Sequence, residues 1–143
     1  MFKLKAHYYF WVTCLFFVLL WFYWSNSDAA IDINIHDTYL VIANSHIAKL
    51  LFVLYGFTGF IYWAFNKTEV SLVKILTKLH VLITIGSVPT YFIGLKLFDL
   101  YSSNTNFTLN MFLVILILFV FISQLLFVIN LVISTFKYVN RKS

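Results

Sequence analysis

Charged residues are scarce in this sequence, and their scarcity excludes a water-soluble domain. Only 10% of the 143 residues are charged, whereas a soluble domain has about 25%. Cysteine occurs once, as Cys14, so the chain cannot form an intrachain disulfide. Proline occurs once and glycine four times, which leaves no stretch with the composition of a flexible linker. The sequence therefore indicates a single domain, residues 1–143, that lies in a lipid bilayer.

Apolar residues make up 62% of the chain and cluster in continuous runs at about 8–24, 39–65, 72–98 and 107–136. A helix needs roughly 20 such residues to cross the hydrocarbon core, whereas barrel strands alternate apolar with polar residues. The sequence predicts an all-α integral membrane protein with four transmembrane helices. The first run also has the outline of a signal peptide, but its many Trp, Tyr and Phe residues favour a retained helix.

The basic residues are distributed unevenly, and this predicts the orientation of the chain. Eight of the ten fall before the first run, between the second and third runs or at the start of the third, or after the fourth: Lys3, Lys5, Lys67, Lys74, Lys78, Lys137, Arg141 and Lys142. Cytoplasmic loops carry the excess of Lys and Arg. Both termini are therefore expected on the cytoplasmic side of a bacterial inner membrane. The formal charge of +5 is then a topology signal, and nucleic-acid binding is not expected.

A polar segment between the first two runs holds several candidate site residues. Asp32, His36 and Asp37 could hold a divalent cation together with water, because carboxylate oxygens and imidazole both bind such ions. Asp37 or Thr38 could instead cap the second helix by accepting a hydrogen bond from a backbone N–H. The residues alone leave both interpretations open.

Three ionisable residues lie inside the second and third runs. His46 and Lys49 are three residues apart and share a helix face. For a helix that begins at Tyr39, Lys49 lies about 15 Å along it, where a charge costs about 2.5 kcal/mol or more. Lys49 is therefore expected to contact a partner, and His46 to make an interhelical hydrogen bond. His80, near the start of the third run, is expected at the membrane interface.

Small and polar residues predict where the helices pack. Ser123, Asn130 and Ser134 are separated by seven and four residues, so they share one face of the fourth helix. Such faces pack against neighbouring helices in lipid. Gly56 and Gly59 are expected to allow a close approach of another backbone to the second helix.

The order of these motifs resembles the C-terminal part of haem–copper oxidase subunit I. The stretch HDTYLVIANSH, residues 36–46, is similar to the family's HDTY-x-VVAHFH at its tenth helix, and Asn26, Ser27 and Asp32 precede it. KLH at 78–80 resembles the opening of the eleventh helix, and LFVINLVIS at 126–134 the close of the twelfth. The similarity covers residues 26–134. It implies one arc of that fold, helices nine to twelve.

The resemblance also implies roles for the candidate residues. His36, Asp37 and Asp32 would lie near haem propionates and a divalent cation at the outer face. His46 matches the axial ligand of the low-spin haem, and Lys49 could reach a propionate.

The sequence departs from the family at the oxygen-reducing site. Asn44 stands where the family has the ligand of the high-spin haem, and an amide is a poor iron ligand beside imidazole. The copper ligands belong to helices that this chain does not have. The resemblance therefore implies no oxygen reduction by the chain alone.

Three functions remain open. The favoured one is a non-catalytic structural subunit or oligomeric module of an inner-membrane assembly. The first alternative is a haem-binding electron-transfer protein that uses His46 as an axial ligand. The second is a pore or proton path lined by Asn44, His46 and Lys49. Because the chain resembles one third of subunit I, we expect a homo-oligomer, with a trimer as the hypothesis, or docking to a larger membrane complex.

Overall fold

The computed structural model describes residues 5–35, 37–68, 70–101 and 109–142. Within these ranges the chain forms helices α1 (Ala6–Trp24), α2 (Asn44–Lys67), α3 (Lys74–Tyr101) and α4 (Leu109–Lys142). Strands β1 (Ala30–Ile35) and β2 (Thr38–Ala43) lie between α1 and α2. All four helices are long and apolar enough to cross a membrane. The prediction of a helical multi-pass membrane protein with four candidate spans is thereby confirmed.

The segment before α2 is a β-hairpin, where the sequence had predicted the first turns of a helix. β1 and β2 pair antiparallel, with Ala30 opposite Ala43 and Ile35 opposite Thr38. Residues 38–42 are mainly β-branched and aromatic, types that favour strands. The second helix therefore begins at Asn44, so the predicted start at Tyr39 is wrong. Its N-cap residue is Ala43 without a side-chain cap, and the predicted cap from Asp37 or Thr38 is wrong too.

The helices associate as two antiparallel pairs. α1 packs along α2, and α3 packs along α4, while α1 also contacts α3 and β1 contacts α4. We call the end of the bundle with the start of α1 and the end of α4 the termini end. The opposite end, with the β-hairpin, is the hairpin end.

Aromatic side chains of α1 and α2 form much of the core. Phe10 and Phe17 of α1 are buried with Tyr55 and Tyr62 of α2. The ring of Phe17 meets that of Tyr55 edge-on, with 5.0 Å between the centroids. Many large apolar side chains point outward instead, including Leu19, Leu82 and Phe121. Exposed apolar surface of this extent is typical of helices that contact lipid.

Gly59 allows α1 and α2 to approach closely. A Cβ atom at this position would lie 2.6 Å from Cδ1 of Trp11 and 3.1 Å from Cβ of Phe10. A Cβ atom at Gly56 would lie 3.4 Å from Sγ of Cys14. The predicted close approach of another backbone to α2 is therefore confirmed, and its partner is α1.

Gly59→Ala is expected to lower the free energy of unfolding by about 1–3 kcal/mol, because the new methyl group overpacks the contact with Trp11. Unfolding in mixed micelles with increasing denaturing detergent measures the change. Gly86→Ala is the matched control, since a Cβ atom there would meet nothing within 4 Å. The control should be neutral or stabilise by up to about 1 kcal/mol. Equal destabilisation by both variants would contradict the packing argument.

Candidate functional site

His80 of α3 lies at the centre of the bundle, where all four helices meet. Its imidazole is 0% exposed. The ring stacks on Phe127 of α4 at 4.7 Å and on Phe10 of α1 at 5.4 Å between centroids. Its Nδ1 lies 2.8 Å from the hydroxyl of Tyr62 on α2. We call Phe10, Tyr62, His80 and Phe127 the aromatic junction. The phase of α3 turns His80 inward, so its side chain is buried among the helices, and its depth relative to the membrane interface stays a prediction.

The second ring nitrogen of His80, Nε2, makes no hydrogen bond of the kind that Nδ1 makes to Tyr62. Nε2 is buried and has no hydrogen-bond partner among the described residues. The side-chain amide of Gln124 donates instead to Oγ1 of Thr84 at 3.4 Å. Neutral imidazole offers one donor and one acceptor. The Tyr62 hydroxyl can therefore satisfy one of the two, and the junction is mainly an aromatic contact with a single hydrogen bond.

Two further polar contacts flank the aromatic junction along α3 and α4. Towards the termini end, Nδ2 of Asn130 donates to Oγ1 of Thr77 at 2.9 Å, and Oδ1 of Asn130 accepts from the backbone N–H of Val73 at 2.9 Å. Towards the hairpin end, the hydroxyls of Thr84 and Ser123 are 2.7 Å apart. Since Asn130 and Ser123 are buried in these contacts, the predicted packing face on α4 is confirmed.

Tyr55 adds a connection between the helix pairs. Its hydroxyl donates a short hydrogen bond to the backbone carbonyl of Thr84. Hydroxyl and amide groups of this kind join helices in lipid, where water cannot satisfy them. The interior polar groups thus form a series of interhelical contacts.

The predicted site residues at the hairpin end are not gathered into this interior. His46 is the third residue of α2, and its side chain is exposed. It makes no hydrogen bond to the part of the chain that the structure describes. Asp37 lies exposed in the turn of the hairpin. The interhelical hydrogen bond expected for His46 does not form among the described residues, and a bond to another chain stays a prediction.

Lys49 contacts an aromatic ring of its own chain. Its side chain is exposed, and Nζ lies 5.1 Å from the ring centroid of Trp21, within the range of a cation–π contact. Because α2 begins at Asn44, Lys49 lies only about 8 Å along the helix. The distance of about 15 Å that followed from a helix start at Tyr39 is therefore wrong, and the ammonium group is near the hairpin end.

The predicted cation site lies largely outside the described residues. His36 and the side chain of Asp32 are not described, and Asp37 alone cannot define the site. Among the described residues, no group of three or more His, Cys, Asp or Glu side chains could hold a metal ion. A cation held by Asp32, His36 and Asp37 stays a prediction.

Asn44 differs from His46 and Lys49 because it faces a cavity. The cavity, of about 330 Å³, lies between the two helix pairs at the hairpin end. Its lining is mainly apolar and includes Phe17, Trp24, Tyr55, Tyr91, Phe92 and Leu116. Oδ1 of Asn44 is buried without a hydrogen-bond partner in the described part of the chain. Sequence reasoning missed this cavity, because side chains of all four helices and both strands enclose it.

No model of a known protein family matches the chain, and no solved structure matches it significantly. The resemblance to haem–copper oxidase subunit I therefore stays a sequence-based prediction. Function has to be argued from the geometry of the site rather than from the fold.

Tyr62→Phe is expected to lower the free energy of unfolding by about 0.5–2 kcal/mol, because Nδ1 of His80 loses its partner in a dry interior. Detergent unfolding followed by circular dichroism measures it. Tyr23→Phe removes a hydroxyl from a side chain that is 78% exposed and should change nothing. When His80 is already replaced by Phe, Tyr62→Phe should lower the free energy of unfolding by less, because the hydrogen bond is already absent. An unchanged cost in the His80→Phe background would show that the hydrogen bond contributes nothing.

Proposed function

We propose that this chain is a non-catalytic structural module of a membrane assembly, similar in plan to one arc of haem–copper oxidase subunit I. The observation that carries the proposal is the aromatic junction, in which a fully buried histidine bonds Tyr62 and packs between two phenylalanine rings. A residue type with catalytic and ligand chemistry is here used to hold four helices together. The remaining interior hydroxyl and amide contacts have the same interhelical use.

Residues at the hairpin end support an interface with another chain. The imidazole of His46 is exposed and unbonded in the described structure, and the ammonium of Lys49 is held at an exposed position over Trp21. Ionisable groups in membrane helices prefer protein or water to lipid. We infer that this face meets another copy of the chain in a trimer, or a larger membrane complex.

The charge distribution supports an orientation for the module. The basic residues at the termini end and the acids at the hairpin end agree with both termini lying in the cytoplasm. The proposed location is the inner membrane of a bacterium.

Haem-based electron transfer is the second candidate. The exposure of His46 favours it, because a free imidazole could ligate iron if another chain supplied the second axial ligand. A pore lined by Asn44, His46 and Lys49 within one chain gains no such support, since Asn44 faces the cavity while the other two face outward.

A reduced-minus-oxidised absorption spectrum of the natively purified protein, with total haem assayed alongside, distinguishes these candidates. We expect no low-spin bands and far less than one haem per chain. His46→Ala should then leave the spectrum unchanged, as should Val53→Ala, one heptad further along the same face and 62% exposed. Stoichiometric haem that is lost in His46→Ala and kept in Val53→Ala would replace the structural proposal with electron transfer.

The mass of the solubilised complex tests the proposed interface. Light scattering in a mild detergent should give three copies of the chain or a larger mixed complex. Lys49→Glu should reduce the assembled fraction, because it reverses a charge on the proposed contact face. Lys96→Glu, at another exposed lysine, is the control and should leave the mass unchanged. A monodisperse wild-type monomer would overturn the oligomer proposal.

A further inference from the structure

The cavity at the hairpin end has no use in the function proposed above. Its volume of about 330 Å³ falls in the lower part of the range for ligand pockets, about 300–1,000 Å³. An apolar cavity of about 150 Å³ stays free of water and takes up benzene. The cavity of this chain therefore has room for roughly twice that amount of apolar material.

The inner end of the cavity is closed and its polar groups are satisfied. The Tyr55 hydroxyl donates to the carbonyl of Thr84, and Oγ of Ser87 donates to the same carbonyl at 2.7 Å. In the described lining, the buried oxygen without a partner is Oδ1 of Asn44. A ligand would thus meet mainly apolar walls, the phenol of Tyr91 and the unpartnered acceptor of Asn44.

The cavity opens sideways towards lipid. The backbones of α2 and α4 hardly approach each other, whereas each packs along its own partner helix. Leu50 of α2 and Ile117 of α4 line the cavity and are nevertheless 68% and 56% exposed. These two side chains therefore border an opening between the helices, and in a membrane that opening faces acyl chains.

Asn44 lies at the end of the cavity where α1 ends and α2 begins. It is the first residue of α2, and Trp24, the last residue of α1, lines the same cavity. Tryptophan is enriched at the boundary between hydrocarbon and headgroups. A lipid chain that entered between α2 and α4 would place its headgroup beside the amide of Asn44.

We propose that the cavity binds one acyl chain of a bilayer lipid, whose headgroup donates a hydrogen bond to Oδ1 of Asn44. The apolar lining selects the chain, and the unpartnered oxygen selects a headgroup with an O–H or N–H donor. The lipid completes the packing of the hairpin end, where side chains alone leave a space.

Native mass spectrometry of the full chain tests this proposal, with dioleoylphosphatidylglycerol as the probe because its glycerol hydroxyls can donate. Delipidated wild-type protein should rebind one lipid per chain with high affinity. Leu116→Trp places a larger side chain in the lining and should weaken binding at least tenfold. Ile115→Trp, at the neighbouring position outside the lining, should bind like wild type. Asn44→Leu should weaken binding by about fivefold to tenfold, the effect of one lost hydrogen bond.

A thermal-melting series keeps the result interpretable if a variant folds poorly. The probe should raise the melting temperature of wild type and Ile115→Trp, because a ligand that binds the folded state stabilises it. Ala48→Phe fills the cavity from α2 and should remove that shift without lowering helix content. The proposal fails if wild type rebinds no lipid, or if Leu116→Trp and Ile115→Trp bind it equally. Neither result would affect the structural function proposed above.

Discussion

The hydrogen bond between Tyr62 and His80 is the contact on which the arrangement of the helices depends. Lipid removes the usual hydrophobic force between helices, so their association relies on close packing and interhelical hydrogen bonds. The bond joins α2 to α3, and the rings of Phe10 and Phe127 bring α1 and α4 against the same imidazole. One residue thereby connects two helix pairs whose backbones otherwise meet mainly through α1 and α3.

The two ends of the bundle differ in how completely side chains fill the space between the helix pairs. Large rings fill the space between the helix pairs around His80. At the hairpin end, aromatic and aliphatic side chains surround the gap together with the small side chains of Ala48 and Ser87, and a cavity remains. A bundle whose helix pairs are joined around His80 can leave a gap near the hairpin end. Lipid or another chain has access to that gap.

Sequence patterns predicted the helices well because apolar length and charge placement are properties of whole segments. They could not distinguish His46 from His80, since each is a lone histidine near the start of an apolar run. Which of the two turns inward depends on the phase and starting point of its helix, and both follow from tertiary contacts. Strand β2 was missed because the apolar run that it opens has no periodicity that separates strand from helix. Strand β1 did carry a signal, since residues 31–35 alternate apolar and polar side chains, which is typical of a strand. The polar face of α4 was predictable because three residues at helical spacing already define it.

The helix geometry also limits how haem could bind, if it binds at all. Residues two apart on a helix point about 200° away from each other. Asn44 faces the interior cavity, so His46 must face outward, as the structure shows. His46, the position that matches an axial haem ligand in the family that the sequence resembles, therefore cannot serve the interior of a single chain. Haem bound through His46 would have to lie between chains, so the structural and electron-transfer hypotheses both require an assembled interface at the hairpin end.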